Sequence, residues 1–286
     1  LHLSLRRQRQ MCIRDRPDAA EQATPGASTL LVGLLDKIGT LGMIRICLGL
    51  FPQASQWATP FVLVLAVISV LWGATMAVTS KDLMRLVSYT SVSHFGFMII
   101  GIFAVTTTSL TGSIFYMFNH GFSTAALFLV LGFLVKRRGS AQVDAFGGVQ
   151  KTAPVLAGMF LFAGLATMSL PGISNFIGEF MVLAGAWSRH PVYVAVATLG
   201  MVLGAVYILL TYKRTMTGPL TQATKEHVTT DLTGLEKAAL TPLVILLLVF
   251  GFFPRPMLHL IEPVAHQTMS IVGVTDPAPA AEEGVK

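Results

Sequence analysis

Long apolar runs separated by short polar segments dominate the chain between residues 28 and 256. An α-helix of about 20 residues crosses a hydrocarbon core of about 30 Å, and most of these runs have that length. The pattern therefore predicts an all-α integral membrane protein with about seven transmembrane helices. The predicted spans are residues 28–51, 58–78, 83–105, 112–135, 152–187, 192–212 and 235–253.

The fifth run is too long for one straight helix and carries a carboxylate deep inside it. Pro171 lacks a backbone donor and clashes with the preceding turn, and Gly172 relaxes the backbone beside it. We therefore predict a break near residues 170–174, followed by a second half-helix that contains Glu179. Broken helices inside a membrane usually line a path for an ion or a substrate. The alternative is a simple proline kink with Glu179 reaching the headgroups.

The two ends of the chain differ in composition from the apolar domain at 28–256. Residues 1–16 contain five arginines but neither the apolar centre nor the cleavage site of a signal peptide. We predict that this leader is foreign to the gene, and the alternative is a basic cytoplasmic tail. Residues 17–27 are predicted to form a polar loop. The tail at 257–286 contains a segment rich in Pro, Ala and Glu, so we predict that it is weakly ordered.

Composition supports a membrane protein and excludes several other classes. Apolar residues make up 53% of the chain and charged residues only 12%, whereas soluble domains are about 25% charged. The formal net charge of +6 lies in loops between apolar runs, which does not indicate nucleic-acid binding. Cys12 and Cys47 are far apart and match no metal, haem or iron–sulfur spacing. We therefore expect no disulfide framework, iron–sulfur cluster or haem site in this chain, and any electron carriers would belong to other subunits.

The distribution of lysine and arginine predicts how the helices are oriented. With seven spans the loops alternate between sides, and short cytoplasmic loops carry most of the cations. One side collects Lys81, Arg85, Lys136, Arg137, Arg138, Lys151, Lys213, Arg214, Lys225 and Lys237, and the other has Arg189, Arg255 and Lys286. The first side is predicted to be cytoplasmic, which places the C-terminus outside.

Four ionisable residues lie near the middle of four different predicted helices: Lys37, His94, His120 and Glu179. Groups at a common depth can lie side by side in a helix bundle, joined by water and by neighbouring hydroxyl and amide groups. The residues expected to supply such groups are Ser91, Ser93, Asn119 and Ser123. A row of this kind can pass protons, because charge on one member changes the proton affinity of the next.

Each member of the row also has a simpler explanation. A central histidine in an apolar helix is often only a structural hydrogen-bonding group, so His94 and His120 can each be read either way. Lys37 can pair with Asp36 or with an acid in another helix. A metal site at the two histidines is not expected, because no close HxxxH spacing or second cluster of acids accompanies them.

Four sequence blocks resemble those of a known family, the antiporter-like membrane subunits of respiratory complex I. The blocks are LDKIGTLGM at 35–43, RLVSYTSVSHFG at 85–96, NHG at 119–121 and SNFIGEF at 174–180. The resemblance implies a fourteen-helix fold built from two inverted repeats, each with a broken helix, of which this chain carries the second half. It also implies roles in proton translocation. Lys37 would connect two half-channels, the histidines would bridge them, and Glu179 would exchange protons at the end.

The resemblance further implies a place in a larger complex. Sister subunits L and N carry lysine where Glu179 stands, and these subunits are the expected partners together with other membrane subunits and the lipid bilayer. NADH, FMN, iron–sulfur clusters and quinone are implied in partner subunits, with no cofactor in this chain. The expected location is the bacterial inner membrane. The alternatives are a subunit of a multi-subunit sodium/proton antiporter, a subunit of a membrane-bound hydrogenase, and a non-transporting assembly scaffold.

Overall fold

The computed structural model describes residues 23–276. The predicted leader at 1–16, most of the predicted loop at 17–27 and the end of the chain from 277 lie outside the described residues. Within the described part the regular structure is helical, and the isolated bridge between Asp82 and Gln142 belongs to no sheet. The chain is an all-α membrane protein.

Ten helices can be labelled in chain order within residues 23–276. They are α1 (25–48), α2 (Pro52–Thr79), α3 (Leu83–Phe103), α4 (Thr107–Arg138), α5 (Pro154–Thr167), α6 (Ser174–Trp187), α7 (Pro191–Met216), α8 (Gln222–His227), α9 (Gly234–Phe252) and α10 (Arg255–Val272). Short 3-10 turns at Val143–Ala145 and Val149–Lys151 lie in the loop between α4 and α5.

Helix ends follow the capping residues in the sequence. Asp82 caps α3, since its Oδ1 accepts the backbone N–H groups of Met84 and Arg85 at 2.9 and 3.0 Å. Thr106 caps α4 in the same way, and α4 ends at Gly139, whose φ of +72° suits a left-handed C-terminal cap. Proline begins α2, α5 and α7, where its missing N–H is not needed.

α3 and α4 lie at the centre of the bundle, and most of their side chains are buried. α2 and α6 pack extensively against them, and α7 packs on α2. The peripheral helices turn large apolar side chains outward, among them Trp57, Phe61 and Leu65 on α2 and Leu199 and Val202 on α7. Outward-facing apolar surface of this extent is expected where lipid replaces water as the solvent.

Among residues 23–276, five helices are long and apolar enough to cross a membrane: α2, α3, α4, α7 and α9. The other two predicted spans are irregular. α1 alternates between α-helical segments, Pro25–Leu30 and Asp36–Gly42, and π-helical segments, Leu31–Leu35 and Met43–Leu48. The fifth predicted span is divided into α5 and α6, each of 14 residues.

The predicted weakly ordered tail is wrong for residues 257–272, which form most of α10. The buried positions Ile261, Ala265, Met269 and Val272 recur at helical spacing, so one face of α10 packs against the bundle. This periodicity outweighs the overall composition, because the Pro- and Ala-rich part of the tail begins only at residue 277.

A polar clasp ties the loop before α9 to the starts of α5 and α9. Arg137, near the end of α4, pairs with Glu236 at 2.6 Å and donates to the backbone oxygen of Asp231 at 3.0 Å. The Asp231 carboxylate accepts the backbone N–H groups of Val155 and Leu156 at 2.8 and 2.9 Å. The first turn of α5 is thereby capped by a residue from another part of the chain.

Candidate functional site

Lys37 extends from α1 toward the centre of the bundle. Its Nζ lies 2.9 Å from Nδ1 of His120 on α4 and donates to the backbone oxygen of Val32 at 2.8 Å. The ammonium group also lies 5.3 Å from the ring centroid of Phe95. The side chain is half-buried, and the charged end is enclosed by polar and aromatic groups instead of lipid.

The backbone that carries Lys37 is flanked by the two π-helical segments of α1. Val32, whose oxygen accepts the Lys37 ammonium, lies in the first of these segments. A π-helical turn holds one more residue than an α-helical turn, so it rotates the residues that follow it about the helix axis. The direction of the Lys37 side chain therefore depends on the π-helical segment before it.

His120 and His94 form the centre of the site, on α4 and α3 respectively. Their ring centroids are 5.2 Å apart, and both side chains are buried. Nε2 of His120 lies 3.2 Å from the Thr124 hydroxyl. Lys37, His120 and His94 therefore follow one another through ring contact and hydrogen bonding.

Two tyrosines hold the ring of His94. The hydroxyl of Tyr116 on α4 hydrogen-bonds Nδ1, and the hydroxyl of Tyr207 on α7 lies 3.3 Å from Nε2. Both tyrosines are buried. The Tyr116 hydroxyl also donates to Oε2 of Glu179 at 3.3 Å, so this one hydroxyl joins a histidine to the carboxylate.

Glu179 lies inside the bundle on α6, with only 2% of the residue exposed. Its Oε2 accepts two hydroxyl hydrogen bonds, one from Tyr116 and one from Ser169. The alternative of a glutamate that reaches the headgroups does not agree with this burial. A carboxylate with hydrogen-bond donors in a low-dielectric site is held in place and can gain or lose a proton through those donors.

The helix break supplies one of these donors. Residues 168–173 separate α5 from α6, and Pro171 and Gly172 lie in this segment, exposed at its surface. Gly172 has φ of +94° and Ser169 has φ of +57°, so the chain turns through left-handed conformations on both sides of Pro171. This turn directs the Ser169 hydroxyl back onto Glu179.

A close contact between α4 and α6 sets the distance from Tyr116 to Glu179. Gly178 faces Tyr116, and a Cβ at position 178 would lie 2.7 Å from the Tyr116 Cβ. Real Cβ atoms do not approach so closely, so the two helices can lie at this distance only because residue 178 is glycine. The absence of a side chain at Gly178 therefore allows the Tyr116 hydroxyl to reach the carboxylate of Glu179.

The structure places the four predicted ionisable residues in one row, in the order Lys37, His120, His94, Glu179. The hydroxyl and amide groups expected between them have other partners: Ser93 donates to Val70, Asn119 to Phe115 and Ser123 to the backbone of His120. Ser91 Oγ has no hydrogen-bond partner within the described residues.

Sequence reasoning did not identify Tyr116, Tyr207 or Ser169. Tyr116 precedes His120 by one helical turn, so the spacing placed it on the same face of α4. Tyr207 lies in the predicted span at 192–212, whose other residues are almost all apolar, and only its hydroxyl indicated a possible hydrogen-bonding role. Among residues 23–276 no group of three or more His, Cys, Asp or Glu side chains is arranged to hold a metal ion.

Known proteins are similar to this chain in sequence and in fold. A family model described as "NADH:quinone oxidoreductase/Mrp antiporter, TM" matches residues 16–204. NADH-quinone oxidoreductase subunit M of Mycobacterium tuberculosis H37Rv is 48% identical over 94% of this chain and 48% of its own length. The chain spans about half the length of the curated relatives it matches.

Two solved complexes contain a similar chain. In respiratory complex I from Thermus thermophilus with bound NADH, the similar chain is 31% identical with a TM-score of 0.79, over 88% of this chain and 52% of that one. In the Mrp complex from Dietzia sp. DQ12-45-1b, the similar chain is 21% identical with a TM-score of 0.78, over 90% of this chain and 57% of that one, and it supports the fold alone. Because the family model covers well over half of its residues, the chain belongs to the family of antiporter-like membrane subunits that NADH:quinone oxidoreductases and Mrp antiporters share.

Proposed function

We propose that this chain is part of subunit M of an NADH-quinone oxidoreductase and that it moves protons along the row from Lys37 to Glu179. Two observations support the proposal. The subunit M relative is 48% identical over 94% of the chain. The row also links an amine to a carboxylate inside an apolar bundle through groups that each donate and accept protons. The proximity of these four side chains inside the bundle is the observation on which the proposal depends.

At the lysine end, proton transfer begins between Lys37 and His120. The Lys37 ammonium donates a proton to Nδ1 of His120 across 2.9 Å, which leaves a neutral amine and a protonated ring. The protonated ring holds its Nε2 proton near the Thr124 hydroxyl, at 3.2 Å, until ring rotation or a water molecule allows that proton to pass to His94. Neutral imidazole carries one proton on either nitrogen, so each passage exchanges the tautomer of His120.

At the acid end, Tyr116 moves two protons at once. Its oxygen accepts a proton from Nδ1 of His94 while its own hydroxyl proton passes to Oε2 of Glu179, so the tyrosine ends as it began. Oε2 accepts from both Tyr116 and Ser169, an arrangement that suits the ionised carboxylate. After this step the new hydroxyl proton of Tyr116 is directed toward His94, so the hydroxyl must rotate back toward Glu179 before the next transfer.

Transfer between the two histidines is the slow step in this proposal. Their ring centroids are 5.2 Å apart, and their contact is between rings rather than through a direct hydrogen bond. A proton crosses when a ring rotates or when a water molecule joins the two nitrogens. Charge arriving at either end of the row changes the preferred orientation of the rings, which is how an energy-releasing step elsewhere can drive the transfer.

The remaining parts of the enzyme belong to partner subunits in this proposal. NADH oxidation with FMN and iron–sulfur clusters and the reduction of quinone take place there, and sister subunits L and N flank this subunit in the membrane. The location is the bacterial inner membrane, with the cation-rich loops inside and the C-terminus outside. The alternatives are a subunit of a sodium/proton antiporter and a subunit of a membrane-bound hydrogenase, neither of which needs NADH.

The test replaces Glu179 by glutamine in the complex that carries this chain. Glu179→Gln keeps the shape and the two hydroxyl partners but cannot take up a proton. We expect NADH-driven acidification of inverted membrane vesicles to fall about tenfold or more, since positioned acid–base groups contribute factors of this size. Glu226→Gln, at an exposed position on α8, is the matched control. Assembly is checked on native gels.

Each outcome bears on a different part of the proposal. Normal proton pumping by an assembled Glu179→Gln complex would remove Glu179 from the path. Vesicles that acidify on addition of a sodium gradient but not on addition of NADH would favour the antiporter alternative.

A further inference from the structure

A polar cavity of about 370 Å³ opens where α2 ends and α3 begins. Its lining includes Lys81, Asp82, Arg85, Tyr89 and Gln142, and none of these residues belongs to the row from Lys37 to Glu179. The cavity lies at the junction of two helices that are each long and apolar enough to cross the membrane. It therefore opens at the boundary between hydrocarbon and water.

Backbone hydrogen bonds hold two walls of the cavity together. The N–H of Leu83 donates to the oxygen of Ala141 at 2.9 Å, and the N–H of Val143 donates to the oxygen of Lys81 at 2.8 Å. The turn between α2 and α3 is thereby fixed against the loop that follows α4. The fold therefore fixes the shape of the cavity, because backbone hydrogen bonds join the α2–α3 turn to the loop after α4.

The charges that line the cavity favour an anion. Asp82 is the one carboxylate in the lining, and it already accepts from the N-terminus of α3 and, at 3.3 Å, from Gln142. Lys81 and Arg85 are both cations, so cationic side chains outnumber the carboxylate by two to one. Arg85 Nη2 donates to the Tyr89 hydroxyl at 3.3 Å, which orients the planar guanidinium. A guanidinium held in this way matches the oxygens of a phosphate.

An apolar stripe continues from the cavity along the outer face of α2. Trp72 lies edge-on to Tyr89, with ring centroids 5.6 Å apart, and is 43% exposed. Ile68 and Leu65 follow it at helical spacing and are 55% and 65% exposed. Tryptophan is typical of the membrane interface, and exposed aliphatic side chains beyond it lie at the depth of acyl chains.

We propose that this cavity binds the headgroup phosphate of an anionic phospholipid. Arg85 and Lys81 contact the phosphate oxygens, and the acyl chains lie along Trp72, Ile68 and Leu65. The adjoining apolar stripe favours a lipid over inorganic phosphate, because only a lipid occupies both surfaces. The binding site is independent of the proton row and of the proposed function.

The test captures the lipid by photo-crosslinking in the intact complex that carries this chain. A benzophenone amino acid replaces Thr79, an exposed lining residue, and the complex is placed in phosphatidylcholine nanodiscs. These contain a small fraction of fluorescent phosphatidylglycerol or, in a parallel sample, fluorescent phosphatidylcholine. We expect this chain to capture the anionic lipid preferentially. Lys81→Ala and Arg85→Ala should each lower that capture about fivefold, the factor typical of one cation near a membrane surface.

Three results would overturn the proposal. The first is equal capture of the two lipids, and the second is undiminished capture in both the Lys81→Ala and the Arg85→Ala complexes. The third is loss of capture when inorganic phosphate replaces chloride at matched ionic strength, which would identify free phosphate as the ligand. Lys213→Ala removes an exposed cation outside the cavity and should leave capture unchanged. The exposed Lys81 variant keeps the test valid if the Arg85 variant fails to assemble.

Discussion

The two ends of the row from Lys37 to Glu179 are built in opposite ways. Lys37 extends from α1, a helix of mixed α and π segments whose other face exposes Leu34, Ile38 and Leu41. Glu179 is enclosed, with two hydroxyl donors on one carboxylate oxygen and a glycine-mediated helix contact beside it. Lys37 is a long side chain on α1, a helix with an irregular backbone. Glu179 is a shorter side chain on α6, which packs closely against α4.

This difference indicates which of the two side chains, Lys37 or Glu179, can change its position more easily. The four-carbon stem of lysine and the π-helical turns allow the amine to change its contact with His120 at low cost. The carboxylate has no such freedom, because closely packed helices resist small displacements. In the proposed mechanism Lys37 is therefore the adjustable end of the row and Glu179 the fixed end. The predictions below test that contrast, beginning with the largest expected effect.

Lys37→Arg should lower NADH-driven proton pumping about 100-fold, the lower end of the usual range for acid–base groups. Arginine keeps the positive charge and a similar length but does not release its proton in a protein. Pumping is measured by dye quenching in vesicles, with assembly checked on native gels. Lys37→Ala should be about as severe. An assembled Lys37→Arg complex that pumps normally would assign Lys37 a purely electrostatic role, and normal pumping in Lys37→Ala would favour the scaffold alternative.

Gly178→Ala should destabilise the helix bundle by about 2 kcal/mol, the usual cost of overpacking a filled interior. The new methyl group would lie 2.7 Å from the Tyr116 Cβ, so α4 and α6 must separate. Thermal unfolding of the purified complex measures the loss. Gly158→Ala on α5 meets nothing within 4 Å and is the matched control, expected to be neutral or slightly stabilising.

Gly121→Ala, at the contact between α4 and α1 near Lys37, is the substitution to compare with Gly178→Ala. A Cβ at Gly121 would lie 2.9 Å from the backbone oxygen of Gly33 on α1. Because α1 is exposed on its other face, it can move outward, and we expect Gly121→Ala to cost less than Gly178→Ala. Equal losses of stability would contradict the view that only one end is adaptable.

Tyr116→Phe should lower pumping about tenfold while the complex still assembles, since a phenyl ring fills the same space but cannot pass a proton. Tyr207→Phe is the control, because Tyr207 also hydrogen-bonds His94 but does not bond Glu179. We expect its effect to be only about twofold, the lower end of the effect of losing one neutral hydrogen bond. If both substitutions had the same effect, the tyrosines would serve only to orient His94.

Much of the fold was predictable because a helix that crosses a lipid bilayer requires a long run of apolar residues. Helices that cross the hydrocarbon core need long apolar runs, so α2, α3, α4, α7 and α9 could be located from composition alone. Proline and glycine together marked the break. The π-helical segments of α1 were not predictable, because a π turn depends on tertiary contacts and no residue type marks it.

The candidate site was predictable only where it is ionisable. Charged and titratable groups are conspicuous in apolar helices, which is why Lys37, His94, His120 and Glu179 were found. Tyr116 and Ser169 were missed because a hydroxyl is ordinary in a membrane helix, and its role depends on which neighbour it meets. α10 was missed because the composition of the last residues obscured a helical repeat.

The clasp formed by Arg137 and Asp231 has a consequence for how the broken helix moves. The first turn of α5 is held by Asp231, and the loop that carries Asp231 is held by Arg137, so α5 is immobilised at the end where it begins. α5 is fixed at its start and is followed by the irregular segment at 168–173, so it bends most easily where it meets that segment. We therefore expect any bending to be concentrated at residues 168–173, which lie between α5 and α6 and include Ser169. Small displacements of this segment would change the hydrogen bond from Ser169 to Glu179 and leave the bond from Tyr116 in place.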